Sequence, residues 1–450
     1  MKKLLIALLC SFFFVISSYA EYQPLQISGA GKELYAVQEE DTVYGAPKLL
    51  ESGKKWKVEV RDQLVFVRPQ IPGTKEETEI EIPVKEINQK PYVDFSYFSE
   101  PAGINYQLDQ KKHKLKIKPL KKEKKGKNRK EEKDRILLWD PDLEFDPASS
   151  EFTAKEEKWV SPEWGSYSRL KTGKKSEFDY LKRCRKNDFG IMPLIHNDFD
   201  PDQTKKFLHD SAGKERLTDY LTAFSVVYGL EGWNLDFENM YEQDRDAYTA
   251  FVRQLTDKLH QSGKKNTVNI TVYCEGSPTW SLCYDRKALA GACDYEVLMG
   301  YDQTSAYSKY AGSVAAADWL DENLQVLLKQ IPADQLILGL PLYTRVWKGQ
   351  PGYARSDVLT VKYTEDFLKR HKAQKVWDVP SKQYISQFKE DDIPFTVWLE
   401  DSESLKAKID LIHKYKLSGM AFWRIGFQKD GLFRELDAAY SQKGKSEKRV

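Results

Sequence analysis

Two carboxyl residues that could perform acid–base chemistry, Asp236 and Glu238, alternate with apolar residues within residues 228–241, and the polar Asn234 precedes them at the same spacing. Large apolar residues fill the positions between them, so on a β-strand the polar side chains share one face and the apolar ones the other. Neighbouring positions on one strand face lie roughly 6.5–7 Å apart along the backbone. At that separation an ionised Asp236 disfavours ionisation of Glu238, and a carboxyl that stays protonated near neutral pH can serve as a general acid.

The same alternation is typical of an antiparallel strand with one solvent-facing side, and the pattern alone leaves that interpretation open. A calcium-binding loop fits less well. Its oxygen ligands need a glycine-bent loop, whereas here large apolar residues separate the polar ones.

The segment resembles the signature of glycoside hydrolase family 18, which lies at the end of the fourth strand of a (β/α)8 barrel. Glu231, Asn234, Asp236 and Glu238 fill the places of that signature. Two positions depart from its commonest form, since Glu231 stands where Asp is usual and Asn234 is the amide variant. Neither residue is the proton donor that the resemblance implies, so the departures bear more on fine adjustment of the site than on the presence of activity.

Further motifs of the family follow in its order. Residues 299–302 (MGYD) resemble its strand-six motif, residues 340–347 (LPLYTRVW) its strand-seven end and residues 421–424 (AFWR) its strand-eight end, while residues 396–401 (TVWLED) are typical of its bacterial wall-associated branch. Taken singly, the tyrosine and tryptophan of these motifs would also fit ordinary packing positions.

The resemblance implies three catalytic residues, Glu238, Asp236 and Tyr301. At the end of the third strand, a sugar contact and a purely structural loop are equally compatible with residues 196–198. With that position included, the expected substrate-binding residues are Asn234, Asp302, Met299, Trp423, Tyr343, Arg345, Trp398 and Asn197.

The implied activity is that of a retaining glycosidase that hydrolyses β-linked N-acetylglucosamine glycans by substrate-assisted catalysis. Glu238 would protonate the glycosidic oxygen, the acetamido oxygen of the substrate would attack the anomeric carbon, and Glu238 would then act as base toward water. Asp236 would orient the acetamido N–H, and Tyr301 would hydrogen-bond its oxygen. Two other interpretations stay open: a barrel without catalysis that binds wall glycans, and a scaffold anchored to the cell surface by its N-terminal region.

Few aromatic candidates for stacking on a sugar chain lie between the predicted seventh and eighth strands, and they are interspersed with lysines: Tyr353, Tyr363, Trp377, Tyr384 and Trp398. This composition suits a short, open cleft with room for peptide-substituted sugars. We therefore expect peptidoglycan as the first-choice substrate and chitin-type oligosaccharides as the second.

Apolar strand-like runs alternate with amphipathic stretches after residue 134, which favours an α/β (β/α)8 TIM barrel with a small insertion between strands 7 and 8. Helical spacing covers residues 241–260 and 402–415. The eight predicted strands are 135–140, one near 158–162, 189–195, 232–238, 267–273, 295–301, 336–342 and 419–423.

The N-terminal third has a different organisation. Residues 1–20 predict a secretory signal peptide, with two lysines, an apolar run and small residues at a cleavage site, so we expect a secreted or cell-envelope protein. Residues 21–120 alternate in short strand-like runs and predict a β-rich domain, whose second half is similar to the copper amine oxidase N-terminal-like domain. Residues 121–134 predict a charged linker, which leaves 135–442 for a barrel expected to fold by itself and 443–450 for a polar tail.

The chain of 450 residues has a net charge of only +2, so nothing in its overall charge suggests a nucleic-acid partner. No apolar run after the signal peptide could span a membrane, and no zinc pattern or phosphate loop indicates a metal or cofactor. A monomer is expected.

Four cysteines, Cys184, Cys274, Cys283 and Cys293, remain after signal removal, and a Cys274–Cys283 bridge, a Cys283–Cys293 bridge and free buried thiols are all compatible with their spacing.

Overall fold

The computed structural model describes residues 22–28, 34–53, 55–74, 78–120, 135–146, 157–271 and 276–447. The predicted signal peptide, the predicted linker and Cys274 lie outside these residues. Within them, every helix is too short or too polar to cross a membrane.

Two antiparallel units make up the N-terminal region. Its larger sheet has the strand order β7-β8-β3-β2-β1-β10-β9, broken only by a parallel β1–β10 pair, and the smaller sheet has the order β4-β5-β6. The elements are β1 (Gln23–Ser28), β2 (Ala36–Glu39), β3 (Thr42–Gly45), β4 (Trp56–Arg61), β5 (Leu64–Pro69), β6 (Ile80–Ile82), β7 (Val84–Ile87), β8 (Lys90–Asp94), α1 (Phe95–Phe98), β9 (Ile104–Asp109) and β10 (Lys114–Pro119).

A closed barrel of eight parallel strands follows, which confirms the predicted fold class. Its first strand pairs with both the second and the eighth, so the sheet has no free edge. The strands up to the seventh, with two short side strands, are β11 (Arg135–Asp140), β12 (Glu157–Ser166), β13 (Arg169–Leu170), β14 (Gly190–Ile191), β15 (Leu194–His196), β16 (Gly232–Asp236), β17 (Lys265–Thr271), β18 (Tyr295–Met299) and β19 (Leu336–Pro341).

The predicted insertion is a five-stranded antiparallel sheet between barrel strands seven and eight, with its own small apolar core. It starts one residue after β19, so its first strand continues directly from the carboxyl end of the barrel. Its strands are β20 (Tyr343–Lys348), β21 (Arg355–Thr360), β22 (Val376–Asp378), β23 (Gln383–Glu390) and β24 (Ile393–Leu399), and β25 (Gly419–Trp423) then closes the barrel.

Helices cover the outside of the barrel, and several begin at an aspartate whose side chain accepts backbone N–H groups of the first turn. The helix of residues 402–415 has the predicted bounds, because Asp401 and Ser404 form a capping box at its start. The helices are α2 (Lys175–Lys186), α3 (Pro201–Leu208), α4 (Ser211–Tyr228), α5 (Arg245–Gln261), α6 (Arg286–Ala290), α7 (Ala317–Leu327), α8 (Thr364–Arg370), α9 (Ser402–Tyr415) and α10 (Leu432–Glu447), which runs past the predicted end of the barrel at residue 442.

Strand bounds differ from the predicted ones where backbone hydrogen bonding changes. The third strand is broken at Met192 and Pro193, because proline has no N–H to donate and Met192 bonds instead to the carbonyl of Val160. The fourth strand ends at Asp236, two residues early, so Glu238 lies in the loop that follows.

An aromatic cluster joins the N-terminal region to the barrel. The Phe98 ring stacks on that of Phe178, with centroids 5.3 Å apart, and meets the Tyr228 ring edge-on at 5.7 Å. The Tyr97 hydroxyl donates to the carbonyl of Tyr228 at 2.7 Å, and the Tyr228 hydroxyl donates to the carbonyl of Glu81 at 2.9 Å. One continuous hydrophobic core therefore includes both parts of the chain.

Charged residues surround this aromatic cluster. Lys182 and Arg185 of α2 form ion pairs with Asp94 and Glu100 of the N-terminal region. A polar cavity of about 540 Å³ lies beside them, lined by both parts of the chain. These contacts argue against the expectation of an independently folding barrel, because removal of residues 21–120 would expose apolar rings on α2 and α4.

The three described cysteines, Cys184, Cys283 and Cys293, are buried free thiols, so the Cys283–Cys293 bridge is wrong. These two lie on opposite sides of α6 in the chain. Each thiol instead donates to a carbonyl four residues earlier, Cys283 to Thr279 at 3.1 Å and Cys293 to Leu289 at 3.2 Å.

Candidate active site

The two predicted catalytic carboxyls come from the carboxyl end of β16, where barrel chemistry is expected. Asp236 is its last residue and is 7% exposed, while Glu238 is half-buried in the loop that follows. Phe237 points to the opposite side, where its ring packs on Tyr248 and its carbonyl accepts a hydrogen bond from Tyr284. The predicted alternation thus places Asp236 and Glu238 on one side of the chain.

Asn197, at the end of the third strand, fixes the backbone of Glu238. Its Oδ1 accepts from the Glu238 N–H at 3.0 Å, and its Nδ2 donates to the Glu238 carbonyl at 2.6 Å and to the Thr204 hydroxyl at 2.9 Å. Asn197 is completely buried and both its amide hydrogens are used. Asn197 therefore positions Glu238, and of the two interpretations of residues 196–198 the structure favours the structural one over the sugar contact.

Asn234 lies below the carboxyls, inside the barrel. Its Oδ1 accepts from the Trp139 indole at 3.0 Å and from the Ser161 hydroxyl at 3.2 Å, and its Nδ2 donates to the Thr267 hydroxyl at 2.9 Å and to Asn269 Oδ1 at 2.8 Å. The expected substrate contact at Asn234 is wrong, because the side chain is buried and all its hydrogen-bonding groups have partners in the protein.

Asn269 connects Asn234 to Asp236 by hydrogen bonds. Its Nδ2 donates to Asp236 Oδ1 at 2.9 Å, and its own Oδ1 is held by Asn234. Two amides, those of Asn269 and Asn234, therefore support Asp236 from below. Sequence reasoning missed Asn269, although a signal existed: Thr267, Asn269 and Thr271 alternate with the apolar Val268 and Ile270.

Burial and mutual repulsion set different pKa values for the two carboxyls. Burial raises the pKa of Asp236 to about 6, against the lowering effects of the Asn269 hydrogen bond and of His196. Burial also raises the pKa of Glu238 well above its ordinary value, and the negative charges of Asp236 and Asp302 raise it further. The raised pKa of Glu238 favours its protonated form, whereas Asp236 loses its proton above about pH 6. A general acid next to a charged carboxylate requires this division of roles.

The end of β18 brings two further predicted residues to the carboxyls. Asp302 adopts a left-handed backbone conformation, with φ of 56°, and its Oδ1 accepts from the Tyr343 hydroxyl at 2.6 Å. The Tyr301 ring lies between those of Trp139 and Tyr343, with centroids 6.4 and 6.3 Å away. Burial, followed by the phenol of Tyr343 and the nearby carboxyls, raises the pKa of Tyr301 well above its ordinary value, so its hydroxyl stays a donor. Met299, the last residue of β18, is buried beside them.

Aromatic rings form the floor of the barrel mouth. Trp423, the last residue of β25, is half-buried and packs against Trp139, with ring centroids 5.9 Å apart. Trp139, Tyr301 and Trp423 belong to one apolar cluster inside the barrel. The sequence pointed to Trp423 but missed Trp139, whose position inside the barrel follows from the alternation of β11.

The insertion contributes Tyr343, Arg345 and Trp398. Arg345 shares a face of β20 with Tyr343; one of its terminal nitrogens contacts the Ser356 hydroxyl at 3.4 Å, and its buried Nε has no hydrogen-bond partner in the described part of the chain. Trp398, near the carboxyl end of β24, is half-buried, and its carbonyl accepts from the Thr344 hydroxyl. The hydrogen bond from Tyr343 to Asp302 joins this sheet to the carboxyl cluster.

An exposed aromatic row, also missed by sequence reasoning, lies on the other side of the site. The rings of His196, Phe199 and Trp280 stack in series, with centroid separations of 6.0 and 6.4 Å. Phe199 and Trp280 are 44% and 39% exposed, and Asn239, which follows Glu238, donates to the carbonyl of Phe199. Loop aromatics give no periodic signal, so the sequence alone could not identify this row.

Comparison with known proteins gives the same family as the motifs. The profile described as Glycosyl hydrolases family 18 matches residues 133–428. The chain is 25% identical over 269 residues to the Uncharacterized glycosylase YvbX of Bacillus subtilis, an overlap of 58% of this chain and 77% of that one. It is 24% identical over 248 residues to the Cortical fragment-lytic enzyme of Bacillus subtilis, where the overlap is 52% of this chain and 56% of that one.

Solved structures share the fold. The chitinase from Chromobacterium violaceum superposes with a TM-score of 0.59 at 22% identity, over 69% of this chain and 98% of that one. The family match starts at residue 133, and the similarity of the N-terminal region to the copper amine oxidase N-terminal-like domain stays a prediction. With the family profile spanning the barrel and its carboxyl pair, the chain belongs to glycoside hydrolase family 18 and is a glycoside hydrolase.

Proposed function

We propose that this hydrolase cleaves β-linked N-acetylglucosamine glycans with retention of configuration, using the acetamido group of the substrate as nucleophile. The observation that carries the proposal is the carboxyl pair at the end of β16, in which Asn269 donates a hydrogen bond to Asp236 and the charge of Asp236 helps to raise the pKa of Glu238 well above its ordinary value. Glu238 transfers its proton to the glycosidic oxygen as the bond breaks. Asp236 receives the acetamido N–H and stabilises the positive charge of the cyclic intermediate.

Tyr301, two residues beyond the end of β18, completes the site. Its hydroxyl keeps its proton and can donate to the acetamido oxygen, which holds that oxygen near the anomeric carbon. Trp423 and Trp139 supply an apolar floor under the reacting sugar. Glu238 then accepts a proton from water, which opens the cyclic intermediate and returns the site to its starting state.

Peptidoglycan is the substrate that we propose first. Trp377 and Tyr384 of the insertion pack on each other at 4.8 Å, and Lys375 lies 3.9 Å from the Tyr384 ring, so these aromatics are occupied within the insertion itself. Tyr353 and Tyr363 remain well exposed. An insertion with so few free rings offers little stacking to a crystalline chitin chain, while the relative in Bacillus subtilis is named for lysis of cortical fragments.

We further propose that the protein is exported by its first twenty residues and acts as a monomer in the cell envelope. The basis is the sequence pattern of that segment, together with a wall polymer as substrate.

Digestion of purified peptidoglycan tests the proposal. Released fragments should have new N-acetylglucosamine reducing ends, Glu238→Gln should release none above background, and a plain β-glucoside, which lacks the acetamido nucleophile, should not be cleaved. N-acetylmuramic acid at the new ends, or rapid digestion of chitin oligosaccharides while peptidoglycan stays intact, would show that the proposed substrate is wrong.

A further inference from the structure

The β9–β10 hairpin of the N-terminal region has a strongly basic surface. Five exposed lysines form this surface, which we call the basic face: Lys111, Lys112, Lys114, Lys116 and Lys118. The last three alternate along β10 with the more buried Leu115 and Ile117, so their side chains point to the same side of the sheet. Successive lysines on this strand lie roughly 6.5–7 Å apart.

The lysines of β10 have no acidic partner within ion-pair distance in the described part of the chain. Lys116 pairs in register with Ser28 on one side and Gln107 on the other, which are neutral hydrogen-bonding residues. The acidic residue in the adjoining strand is Asp109, whose carboxylate lies 3.9 Å from Lys112. Asp109 also stands opposite Lys114 in register, so the basic face combines an excess of positive over negative charge with amide and hydroxyl groups.

An open groove of about 860 Å³ runs along this surface, lined by four of the five lysines together with Ser28, Gln107 and Asp109. The same charge continues into the following sequence, since residues 111–133 contain thirteen basic and three acidic residues. A linear ligand bound along β10 would meet successive positive charges along that strand.

We propose that the basic face binds a linear phosphodiester polymer attached to the cell wall. A phosphodiester of a short polyol repeats its charge at an interval comparable with the lysine spacing, and its hydroxyls match the neutral residues on either side of β10. Lysine is a compact point charge well suited to phosphate. This inference rests on the proposed wall function, because it assigns to the N-terminal region the task of holding the enzyme on its substrate.

Other polyanions fit the basic face less well. A single-stranded nucleic acid needs exposed aromatic rings on which its bases stack, and the aromatic residue of this hairpin, Tyr106, pairs with Ile117 on the other side, where its ring packs on Phe95. An anionic membrane surface is best bound by basic residues together with exposed apolar ones, and the groove offers only the half-buried Leu108. A hydrated phosphodiester chain requires neither stacking aromatic rings nor exposed apolar residues.

The test compares two full-length triple variants in a Glu238→Gln background, which leaves the wall undigested. Lys114→Gln/Lys116→Gln/Lys118→Gln removes the basic face, whereas Lys287→Gln/Lys329→Gln/Lys389→Gln removes the same charge from exposed sites on the barrel and its insertion. Binding is measured by co-sedimentation with cell walls before and after removal of their phosphodiester polymers, and with anionic phospholipid vesicles, at several salt concentrations.

We expect the basic-face variant to bind intact walls at least tenfold more weakly, with a salt dependence reduced by roughly two to three in the log–log slope. The barrel variant and the parent should bind intact walls alike, and stripped walls should bind all three equally weakly. Equal weakening in both variants, undiminished binding to stripped walls, or preferential binding to vesicles would each overturn the proposal. Hydrolysis of soluble oligosaccharides by the basic-face variant with Glu238 restored should match that of the unmutated protein, so that failure of this inference is distinct from failure of the proposed activity.

Discussion

In the proposed mechanism, Glu238 is the residue on which the reaction depends most directly, since its proton must reach the leaving oxygen. Glu238→Gln keeps the shape of the side chain but has no transferable proton. We expect its kcat to fall by about 10²–10⁴, with glycan binding largely retained, because loss of a general acid typically has that effect. Single-turnover hydrolysis and equilibrium binding of an oligosaccharide measure the two quantities, and near-normal hydrolysis would exclude Glu238 from the mechanism.

The pKa of Asp236 determines the acid limb of the pH profile. Asp236 must be ionised, and its pKa is raised to about 6, so kcat/KM should fall as the pH drops below about 6. Asn269→Ala removes the hydrogen bond that lowers this pKa. The acid limb of this variant should therefore move to higher pH.

Asn266→Ala is the matched control, because Asn266 is equally buried on the same strand but bonds to Thr256 on the other side. An identical shift of the acid limb in both variants would attribute the effect to the strand and not to the Asn269–Asp236 bond.

At the scale of elements, the connection between the third and fourth strands positions the acid. Asn197→Ala removes both hydrogen bonds to the Glu238 backbone. We expect kcat to fall by about tenfold or more with KM little changed, because the loop that holds Glu238 loses its orientation while the sugar-binding rings stay in place. A change in KM alone would instead indicate that Asn197 contacts substrate directly.

The sixth barrel strand, β18, contains a buried carboxyl, that of Glu296, which has no part in the proposed reaction. Both oxygens of Glu296 are buried without a hydrogen-bond partner among the described residues, and burial raises its pKa well above the ordinary value. Since the folded state holds this proton more tightly than the unfolded chain, its contribution to stability is full below the unfolded pKa of about 4.3 and declines as the pH rises toward the folded pKa.

Glu296→Gln should remove that decline, because the amide stays neutral. Urea unfolding near pH 4 should give similar midpoints for the variant and the parent, and near pH 8 the variant should be more stable. A constant difference across this range would contradict the assignment of a buried, proton-binding carboxyl to Glu296.

The sequence was sufficient to predict the elements and insufficient to predict which inward side chains reach the cleft. Alternation placed Asn234, Asp236 and Glu238 on one face correctly. In a closed barrel, however, the same face contains both the buried layers and the mouth, and only depth separates them. Asn234 lies one layer too deep to meet a sugar, and Asn197 turns toward Glu238, because partners distant in sequence determine both positions.

At the scale of the whole molecule, the N-terminal region and the barrel should unfold together. Phe178 is buried by Phe98 and Tyr97 of the N-terminal region. Phe178→Ala should lower the free energy of unfolding by roughly 3–5 kcal/mol, and one transition should lose both parts of the structure. A chain that starts at residue 135 should be less stable than the mature protein and prone to aggregate. Two separate calorimetric transitions in the parent would show that the two parts fold independently.

The shared core between the two parts also bears on resistance to proteolysis. The sequence of residues 121–134 contains many basic residues, after which trypsin-like proteases cleave. A cut there would break the peptide chain, yet Phe98, Phe178 and Tyr228 would still hold the two fragments together. A nicked enzyme would therefore migrate as two bands under denaturing conditions and as one species under native ones, with its catalytic cleft intact.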